Sequence, residues 1–233
     1  MTALIVGARK EAGGGVREGW SVFRGTQNLV GLFSFEDNTA PKPEEILDKR
    51  GIFDDYNGKC NYQITTGVVG NFDTEGWGVI KYTNLTSTGE PGQDVLWVDT
   101  DFPLFRLGDV YLMYAEAVAR GGEGGDISTA VRYVNELRDR AYGETPHNKI
   151  DAAWLTANNY QNILDERGRE LYWEGVRRID LIRFGKYTSS SYTWPAKGGV
   201  ITGVGVNERY NIFPIPISDI SVNGSLEQNE GYK

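Results

Sequence analysis

Residues Asn162 to Tyr187, NILDERGRELYWEGVRRIDLIRFGKY, constrain the fold more than any other stretch of the chain. Leu164, Gly168, Leu171, Gly175, Ile179 and Ile182 recur every three or four residues, which places them on one helical face. Asp165, Glu166, Arg169, Glu170, Glu174 and Arg177 crowd the other faces. The spacing predicts one long amphipathic helix whose charges face water. Asp165 and Arg169, like Glu174 and Arg178, stand four apart with the acid first, the better orientation for exposed pairs that contribute about 0.3–0.5 kcal/mol each. Gly168 and Gly175 fall on the apolar stripe, where glycine costs about 1 kcal/mol against alanine. That cost predicts another backbone packed close against both. Gly185, with Arg183 and Lys186 beside it, marks the C-terminal stop.

Such a helix needs neighbours, and the 233-residue chain, 39% hydrophobic, has enough apolar material for a core without disulfide or metal support. A formal net charge of -8 and dispersed Lys and Arg argue against a phosphate-binding surface, so nucleic acid is not an expected partner. Cys60 is the only cysteine, which rules out an intrachain disulfide. No apolar run approaches the roughly 18 residues of a membrane helix, and Ala3 to Val6 is too short for an export signal. Thirty Gly, 13 Tyr and 6 Trp favour long structured loops over a minimal bundle.

Taken in order, the glycine-rich stretch Ala8 to Gly19 reads as a loop leading into a short helix, Trp20 to Phe33. Pro43 to Leu47 resembles the first turn of another. From Lys59 to Tyr82 the period changes to two, with turn residues between Gly70 and Gly76, which predicts a small β-hairpin region. Asn84 to Asp94 is a polar loop before the extended run Val95 to Val98. Helical spacing returns in Leu104 to Arg120, with Leu107, Val110, Tyr111, Tyr114 and Val118 on one side and Gly121-Gly122 as the stop. Asp126 or Ser128 caps the next helix, whose stripe is Ala130, Val131, Val134 and Leu137. The pair forms an antiparallel hairpin of about 34 residues, the size of a tetratricopeptide unit, which cannot cover its own apolar faces. Asp151 to Tyr160 reads as a polar approach to the long helix, and Ile212 to Pro216 as an extended strap packed on the core.

The chain contains no phosphate-binding glycine loop, dinucleotide fingerprint, nucleophile elbow or zinc-protease motif. With one histidine, His147, and one cysteine, histidine triads and zinc sites have almost nothing to draw on. Asp99 and Asp101 form a D-x-D without the rest of a calcium loop and read as ordinary loop acids. Glu166, Glu170 and Glu174 supply the paired carboxylates of a glycosidase, but with arginines interleaved they fit a solvated or salt-bridged face better.

Four stretches resemble a family when read together: Phe102 to Ala117 (FPLFRLGDVYLMYAEA), Val134 to Ala141 (VNELRDRA), Leu164 to Arg183, and Phe213-Pro-Ile-Pro with Gln228 to Tyr232 (QNEGY). Asp48-Lys-Arg50 and Gly19-Trp20 fit less distinctively. In this order they are similar to the C-terminal half of SusD/RagB-family proteins. The resemblance implies a mostly α fold, a SusD-like tetratricopeptide-type helical scaffold with long loops, and residues 1–233 as a single domain from the C-terminal part of a longer protein. It implies an outer-membrane, cell-surface lipoprotein that binds oligosaccharides without cleaving them, needs no cofactor, and works with a SusC-like TonB-dependent transporter. A lipid anchor, absent from this chain, would hold the full-length protein to the membrane.

Sugar recognition needs flat rings for the CH-rich faces of pyranoses and planar polar groups for hydroxyls. Trp20 with Arg24 is the first candidate on that ground, followed by Trp77 and Trp97, with Tyr56 after them. Trp20 reads equally well as a core residue at a helix start. A tetratricopeptide-like scaffold that holds only protein partners is the alternative.

Overall fold

A computed structural model describes residues 9–10, 16–17, 21–22, 48–51, 53–54, 78–79, 81–86, 88–94, 97–99, 101–143, 149–190, 192–193 and 204–233. Among the described residues five helices dominate: α1 (Leu107–Ala119), α2 (Ile127–Tyr142), α3 (Ala152–Leu171), α4 (Arg177–Arg183) and α5 (Ile217–Val222), with a 3-10 turn at Glu208–Asn211. Among the same residues five two-residue strands precede them, β1 (Arg9–Lys10), β2 (Val16–Arg17), β3 (Ser21–Val22), β4 (Phe53–Asp54) and β5 (Gly78–Val79). β1 pairs with β2, and β5 lies antiparallel between β3 and β4, with Val79 opposite both Ser21 and Phe53. The mostly helical architecture is as expected.

The β arrangement is not the expected local hairpin. Gly78–Val79 is extended, as its alternation suggested, but its partners lie far back in sequence. Ser21–Val22 is strand where a helix from Trp20 was expected, because pairing with β5 supplies the hydrogen bonds a helix would have made internally. The remainder of that helix, the Pro43 to Leu47 turn, residues 59–77, Cys60 and His147 lie outside the described residues.

α1 and α2 form the antiparallel hairpin. Gly121, at φ 88°, ends α1, with Gly122 N–H donating to the Ala117 carbonyl. Asp126 then caps α2 by accepting from Thr129 N at 2.8 Å. The buried stripe of α2 is Ala130, Val134 and Leu137, close to expectation. That of α1 is rotated: Gly108, Leu112, Ala115 and Glu116 are buried, whereas Leu107 and Val110 are 61% and 45% exposed. Apolar residues occupy both sides of α1, so periodicity alone could not choose the inward face. Ile150, Leu155, Ile163 and Leu171 from the α3 region complete the core.

The long helix is the main correction. Helix begins earlier, at Ala152, capped by Asp151 on Trp154 N at 2.9 Å, so the polar approach is itself largely helical. α3 is interrupted at 157–160, where Asn158, Asn159 and Tyr160 take positive φ. Asn tolerates that conformation because its short polar side chain can bond locally. A turn then separates Leu171 from Arg177, with Trp173 at φ 64° and Gly175 at φ 77°. Gly175 is exposed, and a Cβ there would meet nothing within 4 Å. Its glycine serves the turn, not a close backbone contact, while Gly168 is buried. Beyond the turn the stripe is reset, so Ile179 is 60% exposed and Leu181 fully buried. Gly185, at φ 66°, ends α4 as anticipated.

The C-terminal strap is also less buried than expected, with Phe213 68% exposed. It is held by hydrogen bonds in place of apolar packing: the Gln228 carboxamide accepts from Ile215 N and donates to the Ile215 carbonyl, both at 2.8 Å, and Asn229 Nδ2 donates to the Phe213 carbonyl at 2.7 Å. The Phe213-Pro-Ile-Pro and Gln228 to Tyr232 motifs are therefore two halves of one structure. Among the described residues no helix is long and apolar enough to cross a membrane.

Candidate functional site

The charges of the long stretch turn inward. Glu166 is fully buried and Glu170 is 3% exposed, on the side of α3 facing α2 and the 48–50 turn. Arg50 grips Asp48 through Nε and Nη2, at 2.9 and 2.7 Å, and its Nη1 reaches Glu166 at 2.8 Å and Glu170 at 3.1 Å. Arg138 of α2 meets Glu166 at 2.8 Å, and Arg169 meets it at 2.7 Å. Arg106 and Arg140 both reach Glu170, at 2.5 Å each. Arg106 continues to Glu174 at 2.6 Å, and Lys81 also pairs with Glu174. The expected exposed pairs are absent: Asp165 accepts from Gln161, and Arg178 donates to the carbonyls of Tyr210 and Asn211.

Carboxylates taken out of water remain charged only when cations surround them. Burial opposes ionisation of Glu166, but Arg169, Arg50 and Arg138 outweigh it and hold its pKa down to about 2. Glu170 is likewise lowered against burial, through Arg140 and Arg106. Neither has a proton to donate near neutral pH, which a glycosidase acid requires. These two acids fasten α3 to its neighbours. A second belt continues through Arg167, which meets Asp109 and Asp180 at 2.9 Å as charge contacts off the hydrogen-bond line, and through Arg183, which joins Asp180 to Glu116.

Beside the first belt opens a cleft of about 320 Å³, lined by Lys49, Arg50, Lys81, Tyr82, Pro103, Arg106, Arg140, Glu170, Tyr172 and Glu174. Lys81 spans its floor, donating to the carbonyls of Glu170 and Tyr172 at 3.0 and 2.8 Å and to Glu174, with its ammonium 4.5 Å from the Tyr172 ring centre. The Tyr172 hydroxyl donates to the Arg50 carbonyl at 2.5 Å. None of these residues was a glycan-binding candidate in the sequence, where Glu170 and Glu174 figured only as paired carboxylates. They come from five separate stretches, and no local spacing links them.

Of the sequence candidates, Trp97 alone is described; Trp20, Arg24, Tyr56 and Trp77 lie outside the described residues. Trp97 is 75% exposed on a loop organised by Asn84. The Asn84 carboxamide accepts from Asp99 N at 3.0 Å and donates to the Asp94 carbonyl at 3.2 Å, and its backbone carbonyl accepts from Gly92 N at 2.8 Å. A Cβ on Gly92 would lie 2.6 Å from Asn84 Cγ, so only glycine lets the strands of this loop approach so closely. Asp94 accepts from Trp97 N at 3.1 Å, and Asp99 accepts from Gln93 N at 2.7 Å. Asp99 thus serves the loop fold, and no group of three potential metal ligands occurs among the described residues. Trp97 opens a segment in which Phe102, Leu104 and Phe105 are 53%, 80% and 85% exposed, far more apolar surface than isolated exposed residues would give.

These features define a mostly helical scaffold fastened by buried ion pairs, with an aromatic segment and a cationic cleft at its surface. The chain belongs to the SusD family, whose model matches residues 48–232. The starch-binding protein SusD of Bacteroides thetaiotaomicron is 41% identical over 204 residues, covering 86% of this chain and 34% of that protein. The SusD-like protein P25 of Formosa agariphila is 30% identical over 135 residues, covering 56% and 24%. Among solved structures, surface glycan-binding protein A from Bacteroides thetaiotaomicron aligns with a TM-score of 0.49 and 28% identity, covering 67% of this chain and 31% of that one. The chain spans about a third or less of the length of these relatives.

Proposed function

We propose that the protein is a non-catalytic carbohydrate-binding component of a bacterial surface uptake system, taking oligosaccharides or polysaccharides at the outer membrane and passing them to a SusC-like TonB-dependent transporter. In this reading the full-length protein is a lipoprotein held to the membrane by its anchor. The observation that carries it is Trp97, an exposed indole on a loop fixed by hydrogen bonds, in a chain 41% identical to a starch-binding protein. An indole held open to solvent offers the flat apolar face a pyranose needs, at little ordering cost.

Isothermal titration of the full-length protein against a panel of oligosaccharides, α-glucans included, tests this, and binding of at least one is expected. Trp97→Ala is expected to weaken that affinity about tenfold or more while leaving stability within about 0.5 kcal/mol, since the side chain is mostly in water. A second reading, a tetratricopeptide-like scaffold without direct glycan binding, is favoured by the outer face of α1, where Leu107, Val110 and Met113 are 61%, 45% and 44% exposed. Capture of a transporter by a protein that binds none of the glycans would select it.

A further inference from the structure

The cleft lining is not charge-balanced. Lys49, Arg50, Lys81, Arg106 and Arg140 stand against Glu170 and Glu174, an excess of three positive charges among the described lining residues. Asp48, paired with Arg50 behind the wall, reduces it to two. This cationic centre sits in a chain whose formal net charge is -8, so it does not follow from overall composition. Concave walls and a partly desolvated site strengthen such a field, so an anion entering the cleft meets an attraction that surface lysines alone would not exert.

The hydrogen-bonding capacity is unevenly spent. The three donors of Lys81 have acceptors in two carbonyls and Glu174. Arg106 is engaged through Nε, Nη1 and Nη2 with Glu170 and Glu174. At the mouth the position differs. Arg140, with 58% of its side chain exposed, places Nη2 on Glu170, and among the described residues its other guanidinium donors and the ammonium of exposed Lys49 have no acceptor. Tyr82, 37% exposed, and the exposed Pro103 supply apolar surface on the same walls. Charged donors beside an apolar wall, around a volume of about 320 Å³, suit a ring carrying one acidic group.

We propose that this cleft is a subsite for an acidic sugar residue, its pyranose ring against Tyr82 and Pro103 and its carboxylate or sulfate meeting Arg140 and Lys49. The inference rests on the glycan-binding reading and adds the charge class of one ligand unit. A carboxylate and a sulfate share the chemistry that matters here, oxygen acceptors carrying negative charge, and arginine's planar fork serves either.

The test is titration of the full-length protein with three oligosaccharides of equal length, an oligogalacturonate, a sulfated galactan fragment and a maltooligosaccharide, at low and high NaCl. At least one acidic ligand is expected to bind about 10–100-fold tighter than the neutral one, with the advantage shrinking as salt rises. Which acidic arm wins identifies the anion. Lys49→Gln, which breaks no ion pair among the described residues, is expected to remove part of that advantage, and Lys49→Gln with Arg140→Gln most of it, with melting curves confirming folded protein. Equal affinity for acidic and neutral ligands at low salt, or an advantage untouched by Lys49→Gln, overturns the acidic subsite and leaves the glycan-binding reading standing. Absence of binding to all three and to the wider panel overturns both.

Discussion

Replacing Glu166 by Gln tests the ionic scaffold most directly. The carboxylate is fully buried and accepts from three guanidinium groups, Arg50 and Arg138 at 2.8 Å and Arg169 at 2.7 Å, whose side chains are only 9–11% exposed. Glutamine keeps the shape but removes the charge, and its amide turns donors toward at least one arginine. Breaking a buried pair from one side costs about 3–5 kcal/mol, because the remaining charge is left without compensation. Arg50 retains Asp48 and Glu170, which places the expected loss near the lower limit. Holding the Glu166 carboxyl at about 2 instead of its ordinary 4.5 leads to a similar size, on the order of 3 kcal/mol. The assay is urea unfolding followed by circular dichroism, reading the midpoint at unchanged slope. A loss below about 1 kcal/mol would refute the view that Glu166 is a buried fastening point. Combining Glu166→Gln with Arg138→Gln should then cost clearly less than the sum of the two, since each removes the same contact.

Acid should weaken the fold in a defined window. Folded-state pKa values of Glu166, Glu170 and Glu116 all lie below the ordinary value of 4.5, Glu166 at about 2, so their contribution is present above 4.5 and lost as pH falls toward 2. The urea midpoint is expected to change little from pH 7 to 5 and then decline, less steeply in Glu166→Gln; an equal decline in both proteins would contradict the assignment. Gly175→Ala should cost about 1 kcal/mol from its positive φ alone, there being room for the methyl group, and Gly175→Asn should cost less. Equal losses for Ala and Asn would mean that something other than backbone conformation keeps glycine there.

The helical hairpin, a cap at Asp126 or Ser128, and the Gly121 and Gly185 stops were legible in the sequence because each depends on spacing within a few residues, and family membership was legible through four motifs in a fixed order along the chain. The inward face of α1 was not, since Leu107, Val110, Leu112 and Ala115 are all apolar and only packing against α2 and α3 chooses among them. Nor was the break at 172–176: Gly175 fits an apolar stripe as well as a turn until Trp173 and Gly175 are seen together at positive φ. The charges are the deepest case. Sequence alone determines that Glu166, Arg169, Glu170 and Glu174 share a segment with acids and bases interleaved. Only the tertiary structure decides that these acids turn inward, because the cations that make burial tolerable, Arg50, Lys81, Arg106 and Arg138, come from segments distant in the chain and are assembled by the fold. The cleft and its surplus positive charge arise from the same convergence.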